Sequence, residues 1–140
     1  MSLAATREGG CQCGAVRYRC AVAPIVTYVC HCRQCQRQSG SAFGISAIVP
    51  RESLVMLKGE VATFERPTDS GGTLTCAFCP QCGSRIWHRR SLSPDNLSMK
   101  AGGFDEPLSL AGAIHIWTEQ RLDGVLIPET AEHFPGEPPD

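Results

Sequence analysis

Val16, Tyr18 and Cys20 alternate with Arg17 and Arg19, a period of two that suits a half-buried β-strand. The run 25–29 is apolar and rich in β-branched residues, and 43–49 reads likewise until Pro50 stops it. Further strands are predicted over residues 61–65, 73–78, 85–88, 97–100 and 113–118. Pro67, Gly71 and Gly72 mark a turn between two of them. Only 33–38 has a helical pattern, with Gly40 placed to cap its end. The expected class is therefore mainly β with very little helix.

At 140 residues the chain fits one domain and is long enough to bury a core without disulfides. The expected organisation is a flexible N-terminus over 1–8, one zinc-binding domain over 9–126, and a Pro-rich tail over 127–140. That tail is expected as an extended strap or a disordered end. Hydrophobic residues make up 42% and charged residues 19%, a globular profile. With a net charge of −1 and no basic stripe, nucleic acid is not an expected partner. No apolar run approaches the ~20 residues of a membrane span, and no signal-peptide core opens the chain, so a cytoplasmic location is expected.

Nine cysteines stand out against this background. Close-spaced thiols in a reducing compartment point to metal binding or chemistry before disulfides. Cys79-Pro80-Gln81-Cys82-Gly83 has the form of a metal knuckle, in which Pro80 pre-sets a tight turn and Gly83 accepts the positive φ. A knuckle supplies two ligands and a closed tetrahedral zinc needs four, so Cys11 and Cys13, again followed by glycine, are the expected partners. About 10–16 kcal/mol of zinc-binding energy offsets the entropy of closing so long a loop. A redox-active Cys79/Cys82 pair is the alternative, although that motif normally opens a helix.

Cys30, Cys32 and Cys35 differ in kind. Three thiolates come from six consecutive residues, and three protein ligands plus a vacant position is the arrangement of a catalytic zinc. Such a site is a poor activator of water but suits a fourth, soft thiolate ligand. Closure of the tetrahedron by Cys20, Cys76 or a histidine would make it structural instead. His88 and His115 read as core histidines. Arg37, Arg85, Arg89 and Arg90 are candidates to fork onto the carboxylates of an acidic thiol. Arg37, Ser39 and Ser41 are candidates to bind substrate, and each is equally placed to hold the helix end.

Three blocks together carry a resemblance. They are the stretches Gly9-Gly10-Cys11-Gln12-Cys13-Gly14-Ala15-Val16-Arg17-Tyr18, Cys30-His31-Cys32-Arg33-Gln34-Cys35-Gln36-Arg37-Gln38-Ser39-Gly40-Ser41-Ala42-Phe43, and Phe78-Cys79-Pro80-Gln81-Cys82-Gly83-Ser84. They resemble the glutathione-dependent formaldehyde-activating enzyme family, whose wider group includes a eukaryotic centromere-protein branch. The resemblance implies a β-tent fold of antiparallel sheets braced by a structural zinc at Cys11, Cys13, Cys79 and Cys82. It also implies a catalytic zinc at Cys30, Cys32 and Cys35, and a carbon–sulfur lyase of the S-(hydroxymethyl)glutathione synthase type. Glutathione or a similar small thiol, with an aldehyde such as formaldehyde, are the expected partners. The competing expectation is a protein-interaction module with two structural metals and no catalysis.

Overall fold

A computed structural model describes residues 5–21 and 23–139. Ten strands and one α-helix follow in chain order: β1 (Thr6–Gly10), β2 (Arg17–Ala21), β3 (Val26–Cys30), α1 (Arg33–Ser39), β4 (Gly44–Pro50), β5 (Val55–Lys58), β6 (Ala62–Pro67), β7 (Thr73–Phe78), β8 (Arg85–Arg90), β9 (Asn96–Lys100) and β10 (Ile114–Ile116). They form a three-stranded sheet, β1-β2-β5, and a seven-stranded sheet, β10-β3-β4-β9-β8-β7-β6. All pairs are antiparallel except β10 with β3, which is parallel. The chain is mainly β, as its hydrophobic pattern predicts.

Alternation along the strands decides what each face buries. Ala47 and Val49 of β4, with Leu97 and Met99 of β9, meet Tyr18 and Cys20 of β2 in the core between the sheets. Ser46, Ser98 and Lys100 consequently leave the large sheet on its other, outer face. Cys20 and Cys76 are fully buried, and Cys20 belongs to the core cluster.

Two strands depart from the sequence-based expectation. β1 contains Gly9 and Gly10, residues that weaken strand propensity. They are there for room: a Cβ on Gly9 would lie 2.5 Å from Tyr18 Oη, and one on Gly10 would lie 2.4 Å from Val16 O. β5 is a four-residue run with every position exposed, so it shows no alternation to read. Of the segment 1–8 expected as a flexible N-terminus, residues 1–4 lie outside the described residues and Thr6, Arg7 and Glu8 belong to β1. The predicted strand over 113–118 is shorter, because Trp117 takes a left-handed backbone (φ 55°) and starts a short 3-10 turn.

Within the tail, Glu132 O accepts from His115 N (3.0 Å), and Phe134 N donates to His115 O (2.9 Å). Gly136 O accepts from Trp117 N at 3.0 Å. Residues 132–136 thus run along the otherwise open edge of β10. No helix among the described residues is long and apolar enough to cross a membrane.

Candidate metal centres

The turn after β1 and the turn between β7 and β8 are built alike. Gly14 N donates to Cys11 O (3.2 Å) and Gly83 N to Cys79 O (2.8 Å). Both glycines hold a positive φ, 82° and 81°, a region that penalises a Cβ. Each turn aims backbone N–H groups at sulfur: Val16 N lies 3.2 Å from Cys11 Sγ, and Gln81 N lies 3.4 Å from Cys79 Sγ. Ser84 joins the two turns, its Oγ accepting from Gln12 N at 3.1 Å and lying 3.2 Å from Cys82 Sγ.

The four sulfurs lie within 4.8 Å of one another. Cys11 Sγ and Cys13 Sγ are 3.6 Å apart, and Cys13 Sγ and Cys79 Sγ are 3.8 Å apart. Sulfurs around one tetrahedral zinc are separated by about 3.8 Å, given a Zn–S bond of ~2.3 Å. The donor set and its spacing therefore fit such an ion. The Ser84 hydroxyl, followed by backbone N–H groups, draws the Cys82 thiol down to about 5, toward the anionic form a metal requires.

The second cluster sits where β3 runs into α1. Its sulfurs, from Cys30, Cys32 and Cys35, also lie within 4.8 Å of one another. Among the described residues no fourth His, Cys, Asp or Glu donor joins them. Cys32 is the N-cap of α1, with an extended backbone (φ −66°, ψ 156°), and its Sγ accepts from Cys35 N at 3.2 Å. The neighbouring Cys30 and Cys35 thiols, then burial against the Cys35 and Gln34 backbone N–H groups, set the balance that holds the Cys32 thiol far below its usual value. Gly40 closes the helix in the left-handed region (φ 60°), its N–H bonded to Gln36 O.

Gln36 clasps this segment to a distant part of the chain. Its side-chain amide donates to His31 O and to Gln120 O, both at 2.9 Å, while Arg33 N donates to Gln120 Oε1 at 2.8 Å. Beneath the triad, His31 is fully buried, 2.9 Å through Nε2 from His115 Nδ1, and packs edge-on against Phe43. Burial pushes both imidazoles down, which suits a neutral pair sharing one proton.

The other expected site residues fall at the far end of α1. Ser39 Oγ donates to Cys35 O at 2.7 Å and lies 2.8 Å from Ser41 Oγ, which in turn donates to Phe43 O at 3.2 Å. Both hydroxyls are thus engaged with the helix end. Arg37 is exposed in the last turn.

Lys100 is a group that sequence reasoning passed over. It is only 8% exposed, and its Nζ donates to Ser46 Oγ at 3.1 Å. Burial pushes its ammonium down, with Cys35, Cys30 and Cys76 acting in the opposite sense. Beside it, His88 is bonded through Nε2 to Arg85 at 3.0 Å. Burial, then Lys100, Arg85 and Arg66, pull His88 down to about 2. In Leu97-Ser98-Met99-Lys100 the lysine falls on the polar side of the alternation, where a solvated residue is the ordinary reading.

Residues 6–120 match the sequence profile of the glutathione-dependent formaldehyde-activating enzyme family. The chain belongs to this family. A Halomonas elongata protein named "Putative glutathione-dependent formaldehyde-activating enzyme" is 27% identical over 125 residues, covering 86% of this chain and 80% of the other. A crystal structure of a Rhodobacter sphaeroides protein shares the fold, with a TM-score of 0.62 and 20% identity. It matches 77% of this chain and 98% of that one. The profile spans both cysteine clusters, so the two sulfur-lined sites lie within the family's domain.

Proposed function

We propose that this family member is a zinc-dependent enzyme of the carbon–sulfur lyase type, acting on adducts of a small thiol and an aldehyde. Glutathione and formaldehyde, the pair in the family's name, are the first substrates to try. Cys30, Cys32 and Cys35 are the reactive centre, and Cys11, Cys13, Cys79 and Cys82 hold a structural zinc. The observation that carries this reading is the thiol triad, with no fourth His, Cys, Asp or Glu donor beside it among the described residues. A zinc bound by three thiolates would supply a soft position that favours the ionised form of a substrate thiol.

The chain's own groups do the positioning. Cys32, held by the Cys35 N–H, fixes one sulfur to the start of α1. Gln36 locks the strand–helix junction through His31 O and Gln120 O, so the three sulfurs share one rigid frame. Nine cysteines without a disulfide accord with a reducing, cytoplasmic setting.

The decisive variant is Cys32→Ser. Serine is a favourable N-cap residue, so α1 should keep its capping bond while the site loses a thiolate. The expected outcome is loss of thiol–aldehyde adduct formation and of its reverse. The melting temperature and the metal held by the other four cysteines should be retained. An unchanged rate with a sharply lowered melting point would sink the catalytic assignment and leave a purely structural site.

A further inference from the structure

The outer face of the seven-stranded sheet gathers charge where a purely structural surface would place aliphatic or solvated side chains. Gly44 stands opposite Cys30 in the β3/β4 ladder, and Lys100 stands opposite Ser46 in the β4/β9 ladder. Residues directly paired, or two apart on a strand, share a face. Cys30, Ser46 and Lys100 therefore project to the same side, and Gly44 puts no side chain between them. Ser46 is only half-buried, so this face is reachable from solvent at that point.

Lysine is almost never buried unless paired. No aspartate or glutamate is buried among the described residues, and the groups acting on the Lys100 ammonium are Cys35, Cys30, Cys76 and Arg85. Arg85 adds a second cation, turned toward His88. Among the described residues the face thus sets a buried ammonium beside a thiol triad with no carboxylate in an ion pair to it. The Ser46 hydroxyl and the thiols are its partners, and an anionic oxygen brought within reach would gain a charge-assisted hydrogen bond from it.

We propose that Lys100, steadied by Ser46, is the catalytic residue that holds the oxygen of the aldehyde as the carbon–sulfur bond is made or broken. This rests on the thiol–aldehyde function proposed above. Addition of a thiolate to an aldehyde forms the C–S bond and moves the carbonyl π pair onto oxygen. The alkoxide takes up one proton, matching the one the thiol lost on ionising. In reverse, the hydroxyl proton leaves, the C=O bond reforms and the thiolate departs. In both directions negative charge develops on an oxygen two bonds from sulfur, where a positioned ammonium stabilises it most.

The test uses the metal-loaded protein and two inert probes, mercaptoacetate and ethanethiol. Mercaptoacetate carries an anionic oxygen three bonds from sulfur, and ethanethiol carries none. Binding is read from the thiolate charge-transfer band of the cobalt-substituted protein, each affinity being referred to the probe's own thiolate concentration. The wild type should prefer mercaptoacetate by about tenfold or more, the scale of one charge-assisted hydrogen bond. Lys100→Met should abolish that preference, leave ethanethiol affinity and metal content unchanged, and lower kcat for the adduct reaction. Lys100→Arg should retain part of the preference, which guards against a folding artefact in the methionine variant.

A preference that survives in Lys100→Met, or is absent from the wild type, overturns the proposal and leaves the thiol–aldehyde function standing. Loss of triad metal, or equal weakening of both probes, overturns it in favour of a simple counter-charge for the thiolates. Failure of the wild type to bind either thiol overturns both readings.

Discussion

Gly44 shows how much can rest on one missing side chain. A Cβ there would lie 3.0 Å from Gln38 Nε2, the end of a flexible side chain, and 3.3 Å from Cys35 Cβ, close enough that Cys35 must give by a few tenths of an ångström. Gly44→Ala should therefore push Cys35 away from Cys30 and Cys32, lowering triad metal affinity by about tenfold while sparing the fold. Competition with a chelator measures it, and an unaltered affinity would mean that the sulfur never moved. His88 makes a different kind of demand. Above pH 6.5 it is neutral in both the folded and unfolded chain and contributes no pH dependence. Below that the unfolded chain takes up a proton, while the folded imidazole, held down to about 2, does not. Stability is thus lost progressively as pH falls from about 6.5, by about 1.4 kcal/mol at pH 5.5. That corresponds to about 5 °C in melting temperature for a chain of this size. His88→Gln should remove this slope, so the gap between variant and wild type should narrow by that amount between pH 7.5 and 5.5. A constant gap would show that folded His88 takes the proton after all.

Among the elements, α1 and the strands around the cysteines were the most legible. The helix is bracketed by a capping side chain at Cys32 and a glycine at residue 40, both local signals. β7 was legible to its ends, Thr73–Phe78, because Pro67-to-Gly72 turn chemistry and the knuckle bound it on either side. β1 and β5 were not, since one owes its glycines to the close approach of Tyr18 and Gly103, and the other shows no alternation. The candidate site divides along the same line. The triad and each cysteine pair were readable because their spacing is local, and the joining of the two pairs, 66 positions apart, was readable from the four ligands a closed zinc needs. Lys100 and Gln120 were not, because their importance arises only when β9 lies beside β4 and residue 120 beside α1. At the β10 edge, truncation after residue 130 should lose the backbone bonds made by Glu132, Phe134 and Gly136. The expected cost is about 2–4 kcal/mol in urea unfolding, with concentration-dependent association through the bared edge. A truncated chain as stable and monodisperse as the parent would show that the strap adds nothing.

Over the whole molecule, the four-sulfur cluster is the tie between sheets. Cys11 and Cys13 leave the three-stranded sheet, and Cys79 and Cys82 connect β7 to β8 in the other, with Cys13 and Cys79 66 positions apart in the chain. Cys82→Ser should therefore cost several kcal/mol, since an incomplete set forfeits most of its metal-binding energy. A variant melting with the wild type would remove the structural role. Cys32→Ser should behave in the opposite way, because its three sulfurs join nothing that is not already adjacent in the chain.

The clasp made by Gln36 and Gln120 has a consequence in time. Eighty-four residues separate the two, so a ribosome adding about 5–20 residues per second needs about 4–17 s to deliver the second after the first. During that interval the Gln36 amide can reach its local acceptor, His31 O, but its distant one, Gln120 O, does not yet exist. The nascent chain passes through a stage in which the three thiols are present before their clasp is complete. The clasp closes when β10 docks beside β3 and residue 120 reaches α1. The order of synthesis thus leaves the clasp around the thiol triad to close only once the supporting sheet is nearly complete.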